Sequence, residues 1–371
     1  MRSKECDVAI VGGGLAGLAL AIQCARAGWS VVVFEKEDYP RHKVCGEYIS
    51  HESTSFLESL GVPISTMDLP QIDTFRLTSH HNTRTECELQ PGGFGLSRFA
   101  LDASLAELAK QAGAQLRTKT RVTQLEGSTS AGFSVHTAQG ETVKARLALG
   151  AWGRHGGLLA RRSGKQGQAW IGVKYHLDAG PESQVIEIHS FDCGYAGVSR
   201  IENGRYCMAY LCHSEALNAC NNDLKTLEKV HLAANPYLAE RLSAHALAGP
   251  LTTSQFHFGV SPAQPVATVG DSAGFIPPLS GNGMSLALRG AKHTFQRVQA
   301  FFDGSVDART FDRHHQRYAQ TYLNRRIAQG RLLQGVLTMK PHGINAALMK
   351  TFSHAPSALK TLTTLASGKP F

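Results

Sequence analysis

Val8-Ala9-Ile10-Val11-Gly12-Gly13-Gly14-Leu15-Ala16-Gly17-Leu18-Ala19-Leu20 decides the fold. An apolar run stops at three glycines, and a stretch rich in Ala and Leu follows at once. The run reads as a strand over 6–11, buried on both faces. The stretch reads as a helix over 15–27, with Gly28 just past its end. Residues 30–35 hold four consecutive apolar side chains and predict a second buried strand. Gly12, Gly14 and Gly17 thus stand in the spacing G-x-G-x-x-G at a strand–helix junction. Gly12 permits a tight turn, Gly14 lets a diphosphate approach the backbone, and Gly17 lets helix and strand pack closely. With Leu15 and Ala16, the turn offers unpaired N–H groups and the positive end of a helix dipole. Glu35 closes the second strand, where a carboxylate can accept hydrogen bonds from ribose hydroxyls, and Lys36 follows it. An acidic residue there points to an unphosphorylated ribose, hence FAD or NAD rather than NADP.

Outward from this unit, short strands are expected at 74–78 and 85–89, ended by the turn residues Pro91, Gly92 and Gly93. A helix over 98–112 follows, with Leu101, Leu105 and Leu108 on one stripe. Strands resume at 115–118, 122–126, 133–137 and 143–149, and dominate 170–212. Ile201-Glu202-Asn203-Gly204-Arg205 reads as a hairpin turn. One more buried strand is expected at 265–269, and helical spacing then links Met284, Ala287, Leu288, Ala291, Phe295, Val298 and Phe302. The rest of the chain looks helical and basic.

Between that strand and that helix lies a second element, Gly270-Asp271-Ser272-Ala273-Gly274-Phe275-Ile276-Pro277-Pro278-Leu279-Ser280-Gly281-Asn282-Gly283-Met284. Asp271, at a strand end, can accept hydrogen bonds from a sugar-alcohol chain. The loop from Pro278 through Gly281, Asn282 and Gly283 presents backbone N–H groups at a helix N-terminus, suited to a carbonyl or a partial negative charge. Such a charge develops at one edge of a flavin ring on reduction. Gly270 to Gly274 also satisfies G-x-S-x-G, the nucleophile elbow of serine hydrolases. A triad could then draw on Asp303, Asp307 or Asp312 and on His314, His315 or His342. That reading leaves the N-terminal glycine turn without a purpose and lacks an HGGG-type oxyanion loop.

The pair GGGLAG and GDSAGFIPPLSGNGM resembles the FAD-dependent superfamily of aromatic hydroxylases and geranylgeranyl reductases. The resemblance runs to about Phe302. It implies the para-hydroxybenzoate hydroxylase fold: a Rossmann-like three-layer α/β FAD-binding domain interleaved with a sheet-based substrate domain, closed by a helical tail. It also implies that Gly12, Gly14, Gly17 and Glu35 hold the ADP half of FAD, that Asp271 holds the ribityl chain, and that Arg98 reaches the phosphate or ribityl region. The loop Pro40-Arg41-His42-Lys43-Val44-Cys45-Gly46-Glu47 is similar to the P-R-x-K-x-C-G segment of the reductase branch, where the Cys-Gly pair lies near the flavin ring. From the residues alone, Arg41 and Lys43 could lower the pKa of Cys45 and bind an anionic cofactor, or Cys45 could simply fill the loop. Tyr195, in Gly194-Tyr195-Ala196-Gly197, either lines the other face of the ring or fills a core. Cys45 and Tyr195 are therefore the catalytic candidates. Trp152, in Gly150-Ala151-Trp152-Gly153-Arg154, stands where the hydroxylases have the Asp of G-A-D-G, so the electron donor is read as NAD(P)H or a separate reductase. The halogenase motif W-x-W-x-I-P is missing.

At 371 residues the chain exceeds the roughly 250–300 at which one core stops growing, so two domains are expected. The proposed boundaries are 1–72, 98–160 and 255–302 for the FAD-binding domain, 73–97 and 161–254 for the substrate domain, and 303–371 for the tail. With 42% hydrophobic and 18% charged residues, the composition fits an ordered globular protein and argues against disorder. No signal segment or membrane span is evident, which places the chain in the cytoplasm with its eight cysteines reduced. The net charge of +9 is uneven: from Arg289 onward, 13 Lys/Arg face 3 Asp. That surface is either an ordinary solvated helix face or one that meets an anionic membrane, an acidic carrier or a phosphorylated substrate. No motif supports nucleic acid. The 17 histidines show no metal-ligand spacing, and His80-His81 and His314-His315 read as surface residues. The function expected is monooxygenation or C=C reduction of a lipophilic isoprenoid- or polyketide-type substrate. The competing class is a redox-inactive lipid carrier of the same fold, which has no need of both Glu35 and Asp271.

Overall fold

The computed structural model describes residues 4–154, 169–243, 249–261, 264–280, 282–337, 351, 356–366 and 370–371. Its strands begin with β1 (Lys4–Val11), β2 (Val31–Phe34), β3 (Tyr48–Ser50), β4 (Gln71–Ser79), β5 (Arg84–Gly95), β6 (Gln115–Arg117), β7 (Val122–Ser128), β8 (Gly132–Thr137) and β9 (Thr142–Gly150). They continue with β10 (Trp170–Leu177), β11 (Val185–Phe191), β12 (Gly194–Arg200), β13 (Tyr206–His213), β14 (Thr252–Phe256), β15 (Gly259–Val260), β16 (Ala267–Thr268) and β17 (Gly274–Phe275).

The first sheet has the order β6-β2-β1-β9-β8-β7, with β16 added to the end of β9. β1 runs parallel to β2 and β9, and its Val8, Ala9 and Ile10 are wholly buried. Continuous β-branched and aliphatic side chains are what a strand covered on both faces requires. Val11 and Thr268 both register with Gly150. Parallel pairing therefore brings three chain exits to one edge: the glycine turn, residues 151–154 and Gly270–Asp271. Ligands bind in that crevice in open α/β sheets. The helix Leu15–Arg26 packs behind it, ended by Gly28 at φ +87°.

The second sheet has the order β14-β10-β13-β12-β11-β4-β5-β3 and is antiparallel except for β11 beside β4. One face is sealed by residues 214–243, whose Leu227, Leu232 and Leu238 join the cluster of Val173, Met208 and Tyr210. Asn203 (φ +58°) and Gly204 (φ +72°) make the expected turn between β12 and β13. The expected stop at residues 91–93 is wrong: β5 runs on to Gly95, and Gly93 registers with Ile72 and Ser50. Gly92, at φ +71°, absorbs the register shift between Ile72 and Thr74, so the glycines bend the strand without ending it. The buried strand expected over 265–269 shortens to Ala267–Thr268.

The long helix is Gly283–Phe302, followed by helices Ala308–Tyr318, Asn324–Leu337 and Pro356–Ala366. His315 is a correction to the surface assignment. It is buried, and its Nε2 accepts the Thr268 N–H at 2.9 Å, so it fastens β16 to the tail. No helix among the described residues is long and apolar enough to cross a membrane, and all eight cysteines are free thiols.

Candidate functional site

One cavity of about 620 Å³ runs from the carboxyl edge of the first sheet to the open face of the second. Every expected site residue lines it except Gly17, which sits behind the turn, and Gly281, which lies outside the described residues.

The three fingerprint glycines hold distinct places. A Cβ on Gly12 (φ +110°) would lie 2.2 Å from the Ala151 carbonyl oxygen, and one on Gly17 would lie 2.0 Å from the Gly12 oxygen. Those two positions exclude a side chain by backbone contact. A Cβ on Gly14 would instead point into the cavity, 3.4 Å from Lys43 Nζ and 3.9 Å from Arg98 Nη2. Leu15–Arg26 begins without a side-chain cap or an acid in its first turn, and so does Gly283–Phe302. Two helix N-termini thus offer unpaired N–H groups to the same space.

Charge follows the same plan. Glu35 accepts the Gly13 N–H at 2.7 Å and the Glu37 N–H at 3.0 Å, and pairs with Arg41 at 2.8 Å. Lys36 stands at the rim beside Glu37. The Arg98 guanidinium grips buried Asp102 through two 2.8 Å hydrogen bonds, and is no mere surface group on a first helical turn. Burial alone would raise the Asp102 pKa, but Arg98 and Lys43 outweigh it and hold the carboxyl below its usual range. Burial pushes Lys43 down to about 8, with Asp102 opposing that shift. An anion beside Gly14 would raise the Lys43 pKa again and strengthen its hold on the charged form. These cations, open N–H groups and the exposed Gly14 backbone fit the diphosphate of a dinucleotide.

At the far side Asp271 faces Arg154, 3.8 Å away, and Arg154 lies over the Phe275 ring and donates to the Val44 carbonyl. Arg154 is a cavity residue that the reading of the glycine motif passed over. Trp152 covers Gly150, whose Cβ would meet its ring at 2.4 Å. Ser272 is buried and its Oγ accepts the Gly153 N–H at 2.7 Å, so it is no exposed nucleophile. Nor does the triad assemble around it: His315 is engaged by Thr268, His314 by Arg297 and Asp312 by Thr129, while His342 lies outside the described residues.

The loop around Cys45 differs from the expectation of an activated thiol. Arg41 and Lys43 turn to Glu35, Glu37 and Asp102, and burial pushes the Cys45 thiol up. The loop is fixed instead by Glu47, at φ +57° and fully buried. Its carboxylate accepts the Arg98 N–H at 2.7 Å, His176 Nε2 at 2.8 Å and Lys174 Nζ. Burial would raise its pKa, but His176 and Lys174 bring it below the usual value. Glu47, His176 and Cys207 place three metal-ligand atoms within 4.8 Å of one another, although Lys174 already supplies the cation there. Residues 127 and 129 positions downstream complete this cluster, so no local spacing announced it. His42, also on the cavity wall, stacks on Phe99 and is held neutral-leaning by burial, Lys174 and His176.

The opposite end is apolar. Phe75, Ile186, Ile188, Tyr195 and Leu211 project from β4, β11, β12 and β13, and Phe275 and Leu279 face them. Burial raises the Tyr195 phenol, and the Leu279 backbone beside it makes no hydrogen bond of good geometry.

Comparison with known proteins bears on the family and the fold. The chain is 24% identical over 341 residues to conditioned medium factor receptor 1 of Dictyostelium discoideum, covering 83% of this chain and 66% of that protein. It is 27% identical over 327 residues to the ubiquinone hydroxylase UbiL of Rhodospirillum rubrum, covering 80% and 73%. The fold superposes on the flavin-dependent brominase Bmp2 with a TM-score of 0.77 at 15% identity, covering 98% and 94%. It also superposes on a geranylgeranyl bacteriochlorophyll reductase-like protein of Thermoplasma acidophilum with a TM-score of 0.75 at 16% identity, covering 98% and 95%. The structural likeness therefore extends through the tail, beyond the limit of Phe302 suggested by the motifs. Residues 5–193 match the FAD-binding-domain family, and the chain belongs to that family of FAD-dependent oxidoreductases with the para-hydroxybenzoate hydroxylase fold.

Proposed function

We propose that the cavity holds FAD along its polar half and an apolar organic substrate, of quinone or isoprenoid type, against the second sheet. The observation that carries this reading is the continuity of the cavity. The same space touches Gly14, Lys43 and Arg98 at one end and Ile188, Tyr195 and Leu211 at the other. In this reading the glycine turn, Arg98 and Lys43 hold the diphosphate and Glu35 the ribose. Asp271 holds the ribityl chain, and Pro278 to Met284 the ring edge. FAD, when bound, supplies two-electron redox chemistry. The chain's own residues would orient it, exclude water and manage charge: Cys45 and Gly46 would lie beside the ring, Tyr195 would limit the substrate space, and His42, on the wall with its Nδ1 unpartnered, would be the group placed to hold a proton there.

The name of UbiL supports oxygen insertion, and the reductase-like neighbour and the Cys45-Gly46 loop support hydride delivery to a C=C bond. Stopped-flow reduction with NADH and NADPH, followed by oxygen, separates these with quinone and polyprenyl substrates present. Substrate-dependent oxygen uptake with a hydroxylated product identifies a monooxygenase. Anaerobic saturation of the substrate identifies a reductase. A protein that takes up no flavin yet retains lipid would instead be the carrier.

A further inference from the structure

The helix Ala308–Tyr318, the π-helical segment Ala319–Leu323 and the helix Asn324–Leu337 follow one another without a break. At 1.5 Å per residue they make a rod about 45 Å long. Its inner side is buried: Phe311, His315, Leu323, Ile327 and Gly330. Ile327 packs with Ile276 and Leu286, and Gly330 leaves room for Pro277, whose Cδ would lie 3.0 Å from a Cβ there. Its outer side presents Arg309, Arg313, Arg317 and Arg325, all exposed and the first three successive at i, i+4 spacing, while exposed Arg331 turns back to donate to the Phe258 carbonyl at 2.9 Å. No Asp or Glu follows Asp312 in the chain, so beyond that point no carboxylate interrupts the stripe. Leu332 stands among these arginines with 68% of its surface exposed.

We propose that this outer face docks on an anionic lipid bilayer. A long stripe of arginines with an exposed leucine suits a charged, extended surface with an apolar layer beneath it, whereas a small acidic partner would meet only part of its length. Position gives the contact a purpose. The rod rests against Pro278–Ser280 and the helix Pro356–Ala366, and Pro278, Leu279 and Thr363 from those elements line the cavity. Docking would bring the apolar end of the cavity towards the lipid, and in this purpose the proposal rests on the apolar-substrate reading above.

The test is co-sedimentation of the full chain with phosphatidylcholine vesicles, with and without phosphatidylglycerol, at low and high salt. Binding is expected only with phosphatidylglycerol and is lost at high salt, because exposed charges are screened. Arg313→Glu/Arg317→Glu/Arg325→Glu should weaken binding at least ~10-fold, while flavin content and the circular-dichroism melt match the parent. Failure of the parent to bind phosphatidylglycerol vesicles at low salt overturns the proposal, as does undiminished binding by the folded triple variant. Binding to polyglutamate without vesicle binding would also overturn it, in favour of an acidic protein partner. Flavin content is read in the same samples, so loss of the FAD reading would show separately from loss of lipid binding.

Discussion

The two ends of the cavity are built by different means. At the nucleotide end a few consecutive residues do most of the shaping: a glycine turn, an uncapped helix start and an acid closing the next strand. At the substrate end the wall comes from β4, β11, β12 and β13 with the turn after β17, and no two of those strands contribute a contiguous motif. Backbone geometry and charge define the first end. Side-chain volume on an open sheet face defines the second. The lesson is that changes at the first end should act on FAD, whereas changes at the second should act on substrate alone.

The largest break in that contrast is Gly14→Val. Its side chain would enter the space beside Lys43 and Arg98, and a folded variant without flavin is expected from absorbance and circular dichroism. Next is Arg98→Ala, which strands the buried Asp102 carboxylate. Loss of about 3–5 kcal/mol in urea unfolding is expected, with Arg98→Ala/Asp102→Asn recovering part of it.

His315 tests the joint between the tail and the crevice. Burial depresses its pKa from 6.5 to about 4. The unfolded chain therefore binds a proton that the folded chain refuses between those values. Its contribution is fully present above pH 6.5 and falls as pH drops to about 4, by up to ~3 kcal/mol. His315→Gln should flatten that part of the pH dependence of unfolding.

Asp271→Ala should weaken FAD binding by ~1.5–3 kcal/mol through lost charge-assisted hydrogen bonds, measured by flavin fluorescence titration. The smallest effects belong to Cys45 and Tyr195. With its thiol pushed up by burial, Cys45 should alkylate no faster than Cys87, and bound FAD should protect it. Tyr195→Phe removes a poorly partnered hydroxyl, so melting should change by less than ~0.5 kcal/mol while the substrate KM shifts.

Much of the first end was legible in the sequence because its determinants are local. Glu35 and Gly14 face the same cavity because β1, its turn and β2 leave almost no alternative path. Asp271 could be assigned from its place after a buried strand, although that strand proved only two residues long. Glu47, Lys174 and His176 were not legible as a site, because Glu47 lies in the loop before β3 and the other two lie on β10, strands that do not pair and that only the tertiary fold brings together. The state of the Cys45 thiol stayed open in the sequence for a related reason: Arg41 and Lys43 are its neighbours in sequence, but Glu35 and Asp102 claim their charges in space. In β5 the turn residues Pro91, Gly92 and Gly93 bent a strand because the pairing partners on both sides continued.

The most direct measurement is titration of FAD into flavin-free protein, followed by fluorescence quenching, for the parent, Asp271→Ala and Tyr195→Phe. The account predicts saturation at one FAD per chain, weakened tenfold to a hundredfold in Asp271→Ala and unchanged in Tyr195→Phe. Absence of saturable binding in the folded parent, or equal weakening by both substitutions, would contradict a cavity divided into a nucleotide end and a substrate end.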